Sequence, residues 1–177
     1  MGIGNTSASA AITALLAGCP VRDVVGRGAG LEDAGLERKI HLIESALQRH
    51  RLDPNDPMDV LAKVGGLEIG FLTGIVLASA QARVPVVLDG FITTAAALVA
   101  WRLAPAVAGY LIASHRSVEP GHSVALKRMG LEPLLDLRLR LGEGTGAALA
   151  FFLIEASCKL LSEMATFEEA GVDRKKG

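Results

Sequence analysis

An α/β fold, with an open and mostly parallel sheet covered by helices on both faces, is what this 177-residue sequence predicts. Short β-branched or aliphatic runs such as Val84-Pro85-Val86-Val87-Leu88 alternate with longer stretches of helical period. Polar or glycine-bearing turns, Asp89-Gly90 and Ser114-His115-Arg116-Ser117, stand at the carboxyl ends of those runs, where open α/β sheets bind their ligands. Half of the residues are apolar but only 4% are aromatic, so Ala, Leu, Val and Gly must fill the interior. Small side chains let helices lie close on a sheet. The length suits one domain with a real core and is short for two.

The elements follow in order. Asn5 or Thr6 is placed to cap a helix that runs through Ala10 to about Ala17, and Gly18 with Pro20 ends it. A glycine-rich connection, Val25 to Gly30, comes next. Between Leu31 and Arg51, Leu36, Ile40, Ile43 and Leu47 form one face of an amphipathic helix. Asp53-Pro54-Asn55-Asp56-Pro57 breaks that pattern, and Asp56 caps a short helix that stops at Gly65-Gly66. Leu67 to Ala82 reads as a mostly buried helix, Val84 to Leu88 as a strand and Phe91 to Leu103 as the next helix. Tyr110 to Ala113 reads as a second strand that ends in the Ser114–Ser117 turn. Pro120 to Met129 and Leu149 to Met164 are helical, and Asp173 to Gly177 is a frayed end.

Composition excludes some functions. A formal net charge of −1, with Lys and Arg spread along the chain, argues against nucleic-acid binding. The uncharged apolar stretch Ile69 to Ala82 is shorter than the roughly 20 residues of a membrane span. No basic segment followed by an apolar run marks a signal peptide, and Cys19 and Cys158 lack metal or redox spacing. These features describe a soluble, cytoplasmic protein with reduced thiols.

Two glycine turns carry the functional signal. Gly2-Ile3-Gly4-Asn5-Thr6 opens into an Ala-rich helix, and amides at a helix start suit a phosphate. Such turns normally follow a strand, and none precedes this one, so the chain is expected to be the back part of a longer protein. The second turn, Arg140-Leu141-Gly142-Glu143-Gly144-Thr145-Gly146, is a candidate partner for the first. Glu is a poor choice between two glycines, so Glu143 either favours the positive helix start or has work for its carboxylate. Lys39 is either a solvated helix lysine or a point charge for phosphate. Asp89 either bonds a ribose hydroxyl or caps the next helix. His115 and His122, seven apart around Glu119, and Asp53, Asp56 and Asp59 have the wrong spacing for a metal. The first turn also lacks the full pattern of a dinucleotide-binding loop.

Four segments in order, residues 1–7, 87–91, 114–122 and 139–146, resemble the nicotinate-nucleotide–dimethylbenzimidazole phosphoribosyltransferase family, and residues 166–172 resemble its C-terminal segment. The resemblance covers the family's second half. It implies a single Rossmann-like α/β domain lacking the N-terminal part, with sheet and covering helices over 1–143 and a C-terminal helical segment over 144–177. It implies transfer of ribose 5-phosphate from nicotinate mononucleotide to 5,6-dimethylbenzimidazole, in assembly of the cobalamin nucleotide loop. By match to the family motif, Glu143 is the general base. Gly2, Gly4, Asn5, Thr6 and Lys39 would hold the phosphate. Gly28, Asp89, Gly90 and Ser117 would line the ribose and nicotinate side, and Leu141 would pack on the benzimidazole. No metal and no cofactor are implied, because the leaving group is not pyrophosphate, and the full-length protein would be a homodimer. A truncated relative that binds nucleotide phosphate without catalysis is the alternative.

Overall fold

The structure is a computed structural model that describes residues 4–28 and 30–171. Helix α1 (Asn5–Ala17) starts at Gly4, whose φ of +86° lies in the left-handed region, and ends at Gly18, whose φ is +72°. No side chain caps its start. The Asn5 or Thr6 cap anticipated from sequence is therefore corrected: both residues lie inside the first turn, and the glycine before them takes the backbone angle that a Cβ would resist. Helix α2 (Asp33–Arg49) buries Lys39, Ile40 and Ile43 along its anticipated face. Helix α3 (Pro57–Val64) begins where the Asp56 carboxylate accepts the amides of Met58 and Asp59 at 2.9 and 3.1 Å.

Helix α4 (Leu67–Gln81) leads into strand β1 (Val86–Leu88), and helix α5 (Phe91–Leu103) follows through a Gly90 cap. Strands β2 (Leu111–Ala113) and β3 (His115–Ser117) are separated by Ser114 alone. Helix α6 (Pro120–Met129), strand β4 (Leu135–Leu139) and helix α7 (Thr145–Glu163) complete the order.

The strands pair two by two and in parallel, β1 with β2 and β3 with β4. Ser114 ties the pairs together: its amide donates to Leu88 O, and its carbonyl accepts from Leu135 N, each at 3.0 Å. Parallel pairing within an α/β chain is as the sequence predicts. What the sequence pattern does not reveal is that residues 115–117 are themselves a strand, and that Leu135-Asp136-Leu137-Arg138-Leu139 pairs with it. The β3–β4 register slips between His115 and Ser117, and Arg138 takes a φ of +52° at the irregularity. Bulges of this kind re-aim side chains near sites.

Helix α5 is the centre of the core. Ala95 through Ala100 are all fully buried, so the helix is enclosed on every side, as a helix that is apolar all round must be. Its alanines let α1, α4 and α6 pack against it. One apolar cluster joins Ile12, Leu16, Val60, Ile69, Leu88, Leu98 and Leu126; a second joins the other side of α1 to Val24, Ile40, Ile43 and Phe91.

Two expectations about the apolar helices are corrected. Helix α4 buries Ile69, Thr73 and Val76 but exposes Leu67, Phe71 and Ile75, so it is not mostly buried. Helix α7 starts at the glycine turn, four residues before Leu149. Among the described residues it is the one helix long and apolar enough to cross a membrane by length and composition, and only 11% of its apolar stretch is buried. Unlike Ile69 to Ala82, that helix carries charges, Glu155 and Lys159, within its span. The tail after Gly171 lies outside the described residues.

Candidate active site

A cleft of about 870 Å³ opens beside the carboxyl ends of β1 and β3. Its size is within the usual range for a small-molecule site, about 300–1,000 Å³. Asn5 and Thr6 reach it from the first turn of α1, Gly28 from the loop before α2, and Asp89 and Gly90 from the end of β1. Ser117 reaches it from the end of β3, and Leu141 and Glu143 from the β4–α7 turn. Eight of the eleven residues singled out from sequence thus share one cleft. Gly4 and Lys39 line a neighbouring cavity of about 670 Å³ between α1, α2 and α3. Gly2 lies outside the described residues.

Lys39 nevertheless joins the first group through its amine. Nζ donates to Thr6 Oγ1 and to Gly26 O, both at 3.0 Å, and the residue is 8% exposed. It is not a solvated helix lysine. Burial lowers its pKa from the ordinary lysine value, and the Glu119 carboxylate opposes that shift. Gly28, at φ +53°, sits so close that a Cβ on it would stand 3.3 Å from Thr6 Oγ1 and 3.8 Å from Lys39 Nζ. An amine, a hydroxyl and the uncapped amides of a helix start form a cradle for an anion.

The other side of the cleft is built by Asp89. Its Oδ2 accepts the Gly144 amide and its Oδ1 the Ala147 amide, both at 3.0 Å. The carboxylate therefore caps a helix, but it is α7, 55 residues on, and not the next one in the chain. Gly90 caps that next helix, α5, with its carbonyl accepting the hydroxyls of Thr93 and Thr94 at 2.9 Å. Held by Asp89, the turn places Glu143 at φ +63° and Gly144 at φ +83°. A left-handed glutamate is strained and persists only where its surroundings impose it. Glu143 is exposed to the cleft, and among the described residues no side chain bonds its carboxylate.

Two histidines brace this corner. His115 is 1% exposed and packs into the notch left by Gly146, where a Cβ would come within 1.9 Å of its Nδ1. Ser114 Oγ lies 3.0 Å from that nitrogen and donates to Asp89 O at 3.3 Å, so an N–H at Nδ1 satisfies the chain of bonds. The His122 ring lies 5.9 Å from that of His115, and its Nδ1 accepts the Ser117 amide at 2.9 Å. Burial, and then the His115 neighbour, push the His122 pKa down to about 4. Among the described residues no group of three or more His, Cys, Asp or Glu side chains could hold a metal ion. Leu141, 62% exposed, and Phe71 of α4 both line the cleft and offer it apolar surface suited to a flat ring.

Sequence reasoning missed Glu119, Phe71 and Arg140, which also line the cleft. Glu119 has a weak signal, since a glutamate before Pro120 marks a helix start. Its side-chain partner, the amide of Gly28, is 91 residues away and leaves no local trace.

Comparisons with known proteins identify the family of the chain. A family model described as Phosphoribosyltransferase matches residues 1–172. A nicotinate-nucleotide–dimethylbenzimidazole phosphoribosyltransferase of Roseiflexus sp. (strain RS-1) is 65% identical over 99% of this chain and 50% of its own. The protein of that name from Geobacter sp. (strain M21) is 62% identical over 97% and 49%. The crystal structure of CobT from Thermus thermophilus superposes with a TM-score of 0.92 at 52% identity, over 99% of this chain and 52% of that one. The chain therefore spans about half the length of the relatives it matches, and across that span it belongs to the nicotinate-nucleotide–dimethylbenzimidazole phosphoribosyltransferase family.

Proposed function

We propose that this chain carries the nucleotide cradle and the proton acceptor of a pentosyl transfer. Ribose 5-phosphate moves from nicotinate mononucleotide to 5,6-dimethylbenzimidazole, giving α-ribazole 5′-phosphate and nicotinate. The observation that carries this reading is a single cleft shared by Thr6, with the Lys39 amine bonded to it, and by the free carboxylate of Glu143.

The chemistry needs little else. Nicotinate departs from a pyridinium, so the C–N bond breaks with its electron pair going to a ring that becomes neutral. One benzimidazole nitrogen attacks the anomeric carbon from the other face, which turns a β-nucleotide into an α-riboside. Positive charge grows on the benzimidazole, and Glu143 removes the proton of its opposite N–H as the new bond forms. Thr6, Lys39, Gly4, Asn5 and Gly2 bind the phosphate; Gly28, Gly90 and Ser117 face the sugar; Leu141 packs on the benzimidazole. Asp89 takes part by holding the Glu143 turn. No step of this scheme calls on a metal or cofactor.

The names of the relatives support these two substrates, and the family resemblance supports a Rossmann-like, cytoplasmic homodimer at full length. It also supports reading residues 1–143 and 144–177 as sheet-bearing and helical parts of one domain. A net charge of −1 supports a small-molecule partner rather than nucleic acid, and no membrane partner is proposed.

In the full-length protein, Glu143→Gln should leave nicotinate mononucleotide binding nearly intact and cut turnover by about 10²–10⁴-fold, the usual worth of a positioned base. Near-normal turnover would refute the assignment. One observation favours a second reading, binding without catalysis: the chain matches only half of its relatives' length. Calorimetry with nicotinate mononucleotide beside a product assay on the 177-residue chain separates the two, since binding without α-ribazole phosphate supports the second.

A further inference from the structure

Glu119 stands at the N-cap of α6, yet its carboxylate caps nothing there. It turns instead to the loop before α2. Oε1 accepts the Gly28 amide at 2.9 Å, while Oε2 is buried with no hydrogen-bond partner among the described residues. Gly26 is what admits it: a Cβ at that position would fall 2.1 Å from Oε2. The same loop is held from its other side by Lys39, whose Nζ bonds Gly26 O and Thr6 Oγ1. A continuous run of hydrogen bonds thus joins the β3–α6 connection, through the glycine loop and the lysine, to the start of α1.

We propose that Glu119 is the positioning residue of the phosphate cradle, pinning the Gly26–Gly28 loop over Lys39 and serving as the counter-charge of that buried amine. This rests on the reading that Thr6 and Lys39 hold the nucleotide phosphate. Glu119 borders the cleft, but Oε1 is taken by the Gly28 amide and Oε2 is enclosed beneath Gly26, so its oxygens serve the loop. A buried carboxylate oxygen left without a hydrogen bond is costly unless a nearby cation compensates it. Lys39, bonded to the same loop through Gly26 O, is the cation placed to do so. Arg38 and His50 of α2 and Lys63 of α3 line the cavity on the far side of the lysine, and none of them is an anion. Among the described residues, Glu119 is the charge that opposes the effect of burial on the amine.

The test titrates the Lys39 side chain by ¹³C NMR in the ligand-free chain, beside nicotinate mononucleotide affinity at pH 7 and at about pH 9.5. Glu119→Gln keeps an oxygen for the Gly28 amide and removes the charge. It should lower the Lys39 midpoint by about one unit. Affinity relative to the parent should fall several-fold further at the higher pH than at pH 7, because the variant's lysine holds its proton less well than the parent's. Glu119→Ala should weaken binding at both pH values, because the loop is also unpinned. If that variant does not fold, the glutamine variant decides. An unchanged Lys39 midpoint in Glu119→Gln overturns the proposal. Lys39→Met separates the two readings: normal affinity in that variant sinks the phosphate assignment itself, whereas weakened affinity with an unmoved Glu119→Gln midpoint sinks only the role of Glu119.

Discussion

The grip of Asp89 on α7 is the contact through which the fold controls Glu143, and Asp89→Asn tests it. In the parent, two oxygens of one carboxylate accept two amides at the start of a 19-residue helix, each at 3.0 Å. Asparagine keeps one carbonyl oxygen and turns an N–H toward the other amide. One charge-assisted bond is lost, at about 1.5–3 kcal/mol. Loss of negative charge at the positive helix end adds about 0.3–1 kcal/mol. The sum is about 2–4 kcal/mol, which for a chain of this size lowers Tm by about 5–15 °C. Urea denaturation at constant m gives the free energy directly. Hydrogen exchange localises it, since the Gly144 and Ala147 amides should lose protection before those of α5. A variant within about 0.5 kcal/mol of the parent, with those two amides still protected, would refute the idea that this carboxylate holds the turn.

Two further outcomes follow from the same corner of the molecule. Gly146→Ala puts a Cβ 1.9 Å from the buried His115 ring, so ring or turn must move; a loss of about 1–3 kcal/mol by urea denaturation is expected, and a neutral result would contradict the packing. Folded His122 titrates at about 4, below its ordinary value near 6.5. Its neutral ring therefore contributes stability that is fully present above about pH 6.5 and lost as pH falls through about 4. Urea midpoints should drop across that window in the parent and drop less in His122→Asn, whose carbonyl can still accept the Ser117 amide; equal drops would remove His122 as the cause.

Local signals make most of the fold legible. The spacing of Leu36, Ile40, Ile43 and Leu47, the Asp56-Pro57 start and the Gly18 stop each act within one or two turns of chain, and the structure uses each of them. Strand β4 escapes because Asp136 and Arg138 are exposed and its partner, β3, reads as a turn. Helix α4 is misjudged because an apolar run does not say how much of its surface finds a partner; Leu67 is 95% exposed. The candidate site is legible as residue types at the carboxyl ends of strands, and the cleft collects most of them. What cannot be read is who holds whom. By sequence Asp89 stands between a sugar and the helix beside it, and its bonds go to a helix 55 residues away. The alignment of Lys39 with Thr6, 33 residues earlier, likewise exists only once α1 and α2 have packed.

Amide NMR during a titration with nicotinate mononucleotide bears most directly on whether the α1 start and the Glu143 turn serve a single ligand. The account predicts that the resonances of Thr6, Gly28 and Gly144 all move, and do so with one dissociation constant. Movement at Thr6 and Gly28 while Gly144 stays still, or with a different constant there, would contradict it.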